Sequence, residues 1–202
     1  MALQGCLKSR AGTAILSRTL IAEGISLADH ILVLGGTRSG KTALAERIAL
    51  RSSSKPAYLA TAEALDDEMI ERVSAHQRSR EGRFATIEEP LELPQALFAA
   101  AQAHDVILVD CLTLWITNLL SMERDVAEEV DLLVEVLENM PDTQVILVSN
   151  EVGLGIVPDN ALARTFRDLT GAAHQELAGI CEHVYFVVAG LPMVVKGKTP
   201  QI

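Results

Sequence analysis

Gly35-Gly36-Thr37-Arg38-Ser39-Gly40-Lys41-Thr42 lies between the apolar run Ile31-Leu32-Val33-Leu34 and the amphipathic run Ala43-Leu44-Ala45-Glu46-Arg47-Ile48-Ala49-Leu50. The order is strand, glycine-rich loop, helix. The loop fits G-x-x-x-x-G-K-[ST], with Gly35, Gly40, Lys41 and Thr42 in the fixed places. The spacing has a physical reason. Glycines let the backbone turn tightly, so that its N–H groups converge on phosphate oxygens. The following helix turns its positive end toward the same anion. Lys41 is placed to reach the β- and γ-phosphates, and the Thr42 hydroxyl to ligate Mg2+. The segment predicts a nucleoside triphosphate site without saying what is done with the triphosphate; a tight structural turn is the plain alternative.

Outward from this loop, apolar runs alternate with helical patterns. Strands are predicted at Ile31–Leu34, Ala57–Ala60, Phe84–Ile87, Val106–Val109, Val145–Ser149 and Val184–Val188, with a short last one at Met193–Lys196. Several are continuous apolar runs, as expected when helices cover both faces of a sheet. Helices are predicted near Lys41–Arg51, Asp66–Arg80, Pro94–Ala103, Leu112–Leu120, Asp125–Glu138 and Asn160–Cys181. This alternation implies an α/β fold with a mainly parallel, doubly wound sheet. Ligands of such sheets bind outside the carboxyl ends of the strands. The ends that matter are Gly35–Thr42, Ala60-Thr61-Ala62, Asp110-Cys111 and Asn150-Glu151-Val152-Gly153.

A chain of 202 residues is expected to form one main domain, from residue 29 to 202. Residues 1–28 stand apart: Met1 to Leu27 holds Lys8, Arg10 and Arg18 against one acid, Glu23, and reads as an extension loosely attached to the domain. Its apolar stretch Ala14-Ile15-Leu16 is too short for a secretory signal. No run approaches the ~18 apolar residues of a membrane span. The net charge of -10 argues against nucleic acid as the main partner, since a phosphate backbone needs a basic surface. Cys6, Cys111 and Cys181 are widely spaced, with no C-x-x-C pair. They suggest small buried side chains in a reducing cytoplasm.

Four further patterns carry chemistry. Val106-Ile107-Leu108-Val109-Asp110 is an apolar strand ending in a carboxylate, the layout in which the acid holds Mg2+; Asp110 capping the next helix is the alternative. In the predicted helix Asp66–Arg80, Met69, Val73 and His76 share a face. His76 is either a half-buried histidine on that stripe or, among Arg72, Arg78 and Arg80, a nucleophile toward phosphorus. Asn150-Glu151-Val152-Gly153-Leu154-Gly155-Ile156-Val157-Pro158-Asp159-Asn160 is either an ordinary connection or a segment that covers a ligand, and Asp159 or Asn160 caps the following helix. Arg164, Arg167 and Asp168 form either a solvated charged face or an anion clamp.

Several of these segments together resemble one family, the bifunctional adenosylcobinamide kinase / adenosylcobinamide-phosphate guanylyltransferase. They are residues 35–42, Tyr58-Leu59-Ala60-Thr61-Ala62, Asp66-Asp67-Glu68-Met69 with His76, and residues 150–160. To these are added Leu162–Gly171 and Val187-Val188-Ala189-Gly190-Leu191-Pro192. The resemblance runs from about Ile31 to Lys196. It implies a P-loop NTPase with a RecA-like sheet. The implied reactions are phosphorylation of adenosylcobinamide by ATP or GTP, then transfer of GMP from GTP through a covalent histidine–GMP intermediate. The matching nucleophile is His76, with Lys41 assisting. Implied nucleotide contacts are Gly35, Gly36, Thr37, Arg38, Ser39, Gly40, Lys41, Thr42, Ala60, Thr61, Ala62, Gln77, Arg78, Ser79, Arg80, Glu88 and Asp110. Thr42 and Asp110 would hold Mg2+, and a homotrimer with sites near subunit interfaces is implied. The chain departs from the pattern in having Ala75-His76 where some members carry two histidines. It also has Asp110 where Glu is common, Ala62 where relatives carry a hydroxyl, and residues 1–28 with no counterpart in shorter members. Without the resemblance, the residues also fit a small-molecule kinase lacking nucleotidyl transfer, or a nucleotide-binding regulatory module.

Overall fold

The computed structural model of the chain describes residues 29–62 and 82–202. The expected extension and the expected helix Asp66–Arg80, with His76, lie outside the described residues. In chain order the elements are β1 (Ile31–Gly35), α1 (Lys41–Ser52), β2 (Ala57–Ala60), β3 (Ala85–Glu88), α2 (Leu93–Ala100), β4 (Val106–Asp110) and α3 (Leu112–Ser121). They continue with α4 (Val126–Glu138), β5 (Gln144–Asn150), α5 (Ala161–Ile180), β6 (His183–Val188) and β7 (Leu191–Lys196).

The strands form one seven-stranded sheet in the order β3-β2-β4-β5-β1-β6-β7. All neighbours pair in parallel except β6 and β7, which pair antiparallel at the edge. The P-loop strand β1 sits between β5 and β6, so loops from both neighbours flank the phosphate loop. Alternate residues of a strand face opposite sides, and the core divides accordingly. Leu32, Leu59, Ile107, Val109 and Leu147 meet the helices that carry Leu97, Trp115, Leu133 and Leu177. Ile31, Val33, Tyr58, Leu108, Ile146 and Val148 meet Leu44 and Ile48 of α1. This two-sided burial is why the central strands read as unbroken apolar runs.

The boundaries differ from expectation where local chemistry intervenes. Strand β7 begins at Leu191, two residues before the expected Met193. Ala189 and Gly190, at φ 51 and 80, form a two-residue turn that zips the hairpin closed. Positive φ at both turn residues matches the right-handed twist of the strands. Helix α2 stops at Ala100 rather than Ala103, because its last turn tightens: Ala103 N donates to Ala100 O at 3.0 Å. Asn160 caps α5, accepting from Leu162 N at 2.7 Å and Ala163 N at 3.2 Å. Cys111 and Cys181 are buried, as expected. Burial pushes both thiols up, Cys181 to about 12, so neither is a ready thiolate.

Candidate functional site

The phosphate loop bridges β1 and α1. Gly35 ends the strand, and a Cβ there would lie 2.5 Å from Ser39 Oγ and 2.7 Å from the carbonyl oxygen of Val187 on β6. No side chain fits. Gly40 stands at φ 96, and a Cβ on it would lie 3.1 Å from Gly190 Cα at the hairpin tip. Gly190 N also donates to Ser39 O at 2.8 Å. The β6–β7 turn is therefore fastened to the outer side of the loop.

Helix α1 starts with Gly40 as its N-cap, without a side-chain cap and without an acid in its first turn. Helices α4 and α5 differ, since Asp125 and Asn160 occupy their first N–H groups. The start of α1 thus keeps its donors and positive end for an anion. Lys41 is buried to 8% exposure, and its Nζ donates to Gly36 O at 3.3 Å, back across the loop. Ser39 Oγ is buried without a hydrogen-bond partner among the described residues.

Asp110 reaches this loop because of parity. It follows Val106 and Leu108 on the face of the sheet that packs on α1, so its carboxylate points to the first turn of that helix. Asp110 Oδ2 accepts from Thr42 Oγ1 at 3.1 Å and from Tyr58 Oη at 2.6 Å. The capping alternative for Asp110 does not hold: α3 has Cys111 as its N-cap, with no side-chain cap bond. Tyr58 was missed as a site residue. A phenol inside an apolar strand, two residues before the strand's carboxyl end, was its available signal.

The ends of β2 and β3 lie beside Asp110. Ala60 is paired with both Asp110 and Glu88, which brings the expected contacts Ala60, Thr61, Ala62 and Glu88 to one edge. Thr61 has a local role: its hydroxyl donates to Cys111 O at 2.8 Å and accepts from Cys111 N at 2.9 Å. Asn118 Nδ2 donates to Thr61 O at 2.9 Å and to Pro90 O at 3.0 Å, tying α3 to the ends of both strands. Gln77, Arg78, Ser79 and Arg80 lie outside the described residues, as His76 does.

On the other flank, Asn150 pairs with Gly35 and Glu151 N donates to Gly35 O at 3.0 Å. Asn150 Nδ2 donates to Thr113 Oγ1 at 2.9 Å. Behind this strand end, Ser149 and His174 share a buried hydrogen bond of 2.8 Å. Burial holds the imidazole below its ordinary range, with nearby Glu151 opposing. Arg164 is not a free anion clamp, since its Nη1 donates to Pro158 O at 2.9 Å and Asp159 O at 2.7 Å. Arg167 and Asp168 make a long contact of 3.5 Å, worth about 0–1 kcal/mol on an exposed surface.

A family-wide sequence model described as "Cobinamide kinase / cobinamide phosphate guanyltransferase" matches residues 31–195. The bifunctional adenosylcobalamin biosynthesis protein CobP of Pseudomonas aeruginosa is 48% identical over 169 residues, covering 83% of this chain and 97% of the relative. The protein of the same description, CobU, from Escherichia coli is 37% identical over 181 residues, covering 82% and 99%. Among solved structures, a prototypical ATPase from the type III secretion system of pathogenic bacteria superposes with a TM-score of 0.51. It is 13% identical and covers 88% of this chain and 60% of that one, a likeness of fold alone.

Proposed function

The chain belongs to the cobinamide kinase / cobinamide phosphate guanyltransferase family, and from that premise we propose how a single triphosphate loop serves two reactions. The enzyme phosphorylates adenosylcobinamide and then transfers GMP from GTP to the product, a late stage of adenosylcobalamin synthesis. The observation that carries the reading is the convergence of Lys41, Thr42 and Asp110 on a glycine-shaped loop at the head of an uncapped helix.

In the kinase reaction the triphosphate of ATP or GTP lies along Gly35–Thr42. Lys41 leaves Gly36 O for the β- and γ-phosphates, and the α1 N–H groups hold the phosphate oxygens. The acceptor hydroxyl attacks the γ-phosphorus, the bond to the β–γ bridging oxygen breaks, and the hydroxyl proton is released. Positioning and charge stabilisation carry this step, since phosphoryl transfer needs little covalent help. Thr42 Oγ1 and Asp110 Oδ2 offer hard oxygen donors to one point. That fits Mg2+, which takes one or two carboxylates and leaves its other positions to water and phosphates. Bound there, Mg2+ would offset charge on the phosphate oxygens.

In the guanylyl reaction we assign His76 as nucleophile. An imidazole nitrogen attacks the α-phosphorus of GTP, a P–N bond forms, and pyrophosphate leaves. The phosphate of adenosylcobinamide phosphate then attacks that phosphorus and the P–N bond breaks, giving adenosylcobinamide-GDP. Gln77, Arg78, Ser79, Arg80, Ala60–Ala62 and Glu88 are assigned to the guanine nucleotide, and residues 29–202 to the unit that does both reactions. A homotrimer fits the exposed apolar edge strand, where Leu191, Met193, Val194 and Val195 face solvent. No helix among the described residues is long and apolar enough to cross a membrane, and we assign the enzyme to the cytoplasm.

GTP labelled at the α-phosphate tests the reading. Acid-labile, base-stable label is expected on the protein and is expected to vanish in His76→Ala, while ATP-dependent phosphorylation of cobinamide persists. Label retained by His76→Ala overturns the nucleophile, and absence of any corrinoid turnover overturns the function.

A further inference from the structure

Beside the phosphate loop, residues 153–157 form a surface that the two reactions above leave unexplained. Leu154 is 81% exposed, Ile156 96% and Val157 59%, and Leu162 at the start of α5 adds to them. These side chains are not on a loose thread. Glu151 Oε1 accepts from the backbone N–H of Gly153 and from that of Leu154, the latter at 3.1 Å. At the far end Arg164 holds the carbonyls of Pro158 and Asp159, and Asn160 caps α5. A segment fixed at both ends with its apolar side chains in water offers a surface to something else.

Place and charge narrow what that is. The segment starts at Asn150, the pairing partner of Gly35, so it leaves the sheet beside the phosphate loop. On the opposite side of the phosphate loop the hairpin tip is packed against Gly40. An acceptor whose oxygen meets the phosphate there must extend its remaining bulk over a neighbouring loop, and the loop after β5 is such a neighbour. Val152-Gly153-Leu154-Gly155-Ile156-Val157-Pro158 carries no charged side chain, and the Glu151 carboxylate is turned onto the segment's own N–H groups. The surface suits the methyl-bearing parts of a wide ligand rather than another phosphate. Gly155 adds an independent sign. A Cβ there would meet nothing within 4 Å, and its backbone does not need a positive φ. The fold itself does not require that glycine, whereas a flat ligand approaching the backbone would.

We propose that Leu154, Gly155, Ile156 and Val157 form the seat of the acceptor's corrin macrocycle, used in both half-reactions. This rests on the corrinoid function proposed above. The family's reaction supplies the ligand: a broad ring bearing methyl groups as well as amide side chains, one arm of which carries the reacting oxygen.

The test uses the full chain carrying Leu154→Ser and Ile156→Ser together, and separately Gly155→Val. All three positions are exposed, so folding is expected to persist and is checked by thermal melting. The expected result is a KM for cobinamide raised about tenfold, the effect of losing contact with two apolar side chains. The kcat at saturating cobinamide, the KM for ATP and corrinoid-free labelling by α-labelled GTP should stay as in the wild type. An unchanged cobinamide KM in both variants overturns the proposal. A changed elution volume on size exclusion with unchanged KM does so too, and reassigns the surface to contact between copies. If the wild type turns over no corrinoid, the proposed function fails first, whereas active wild type with unaffected variants sinks the macrocycle seat alone.

Discussion

The loops that follow β1 and β5 leave adjacent strands at the same level, Gly35 beside Asn150, yet they are held in opposite ways. The first is shaped by steric exclusion. Gly35 has backbone and side-chain atoms where its Cβ would be, Gly40 sits at φ 96 against the hairpin tip, and Lys41 is buried. The second is held by side chains reaching back to backbone, namely Glu151, Asn160 and Arg164, while its apolar residues point outward. A phosphate group is small and always alike, so a loop fixed by its own backbone suits it. A large acceptor needs area, and a strapped loop can present area at little steric cost. The difference teaches where substitutions will be tolerated.

The largest expected effect falls on the first loop. Gly35→Ala puts a methyl group 2.7 Å from the Val187 carbonyl, an overpacking that costs about 1–3 kcal/mol of stability. Displacing the loop should also weaken triphosphate binding on the order of 100-fold, equal to about 2.7 kcal/mol. Calorimetric titration with GTP checks it. Near-normal affinity would show that the cradle is more pliable than the second loop and reverse the comparison.

A middle-sized effect is expected at the root of the second loop, where the His174–Ser149 bond lies behind Asn150. Burial lowers the folded-state pKa of His174 below its ordinary 6.5. Below about pH 6.5 the unfolded chain therefore takes up a proton that the folded chain resists. Stability should fall as pH drops through that range, by up to about 1.4 kcal/mol per pH unit. Above it, both states hold a neutral ring and the effect is absent. Urea denaturation at pH 7.5 and 5.5 should show a steeper loss for wild type than for His174→Gln. Equal losses would remove this side chain from the account.

The smallest effect is expected at Gly155→Ala. With open space around the Cβ and no positive φ, folding stability should be unchanged or raised by up to about 1 kcal/mol through a stiffer unfolded chain. A measured loss above that size would mean the second loop is constrained sterically like the first.

Much of the frame was legible from residues 31–50 alone, because a P-loop must join a strand to a helix. Asp110 was legible as a candidate beside the P-loop, but the alternative that it caps the next helix was excluded only by the structure, where Cys111 is the N-cap of α3. Tyr58 was not, because its hydroxyl meets Asp110 across two paired strands and the pairing of β2 with β4 is set by the sheet order. Thr61 was implied as a nucleotide contact by the resemblance, and what the sequence did not show is that its hydroxyl is engaged by Cys111, fifty residues on. Helical spacing left Arg164 open between a solvated charged face and an anion clamp, while the carbonyls it holds belong to a loop whose path spacing does not encode. The hairpin tip had a local signal in Ala189-Gly190, though not its seat on Gly40.

By itself the sequence determined what local chemistry enforces: the glycine-bearing loop, the strand–helix alternation, the terminal carboxylate and the family. Each depends on neighbours a few residues apart and on the two-sided burial of a parallel sheet. The tertiary structure alone decided which face each strand end serves, that β7 turns back to brace the phosphate loop, and that the β5 loop is strapped with its apolar side chains outward. Those outcomes depend on strand order and register, which are set by the packing of the whole sheet and not by any one segment.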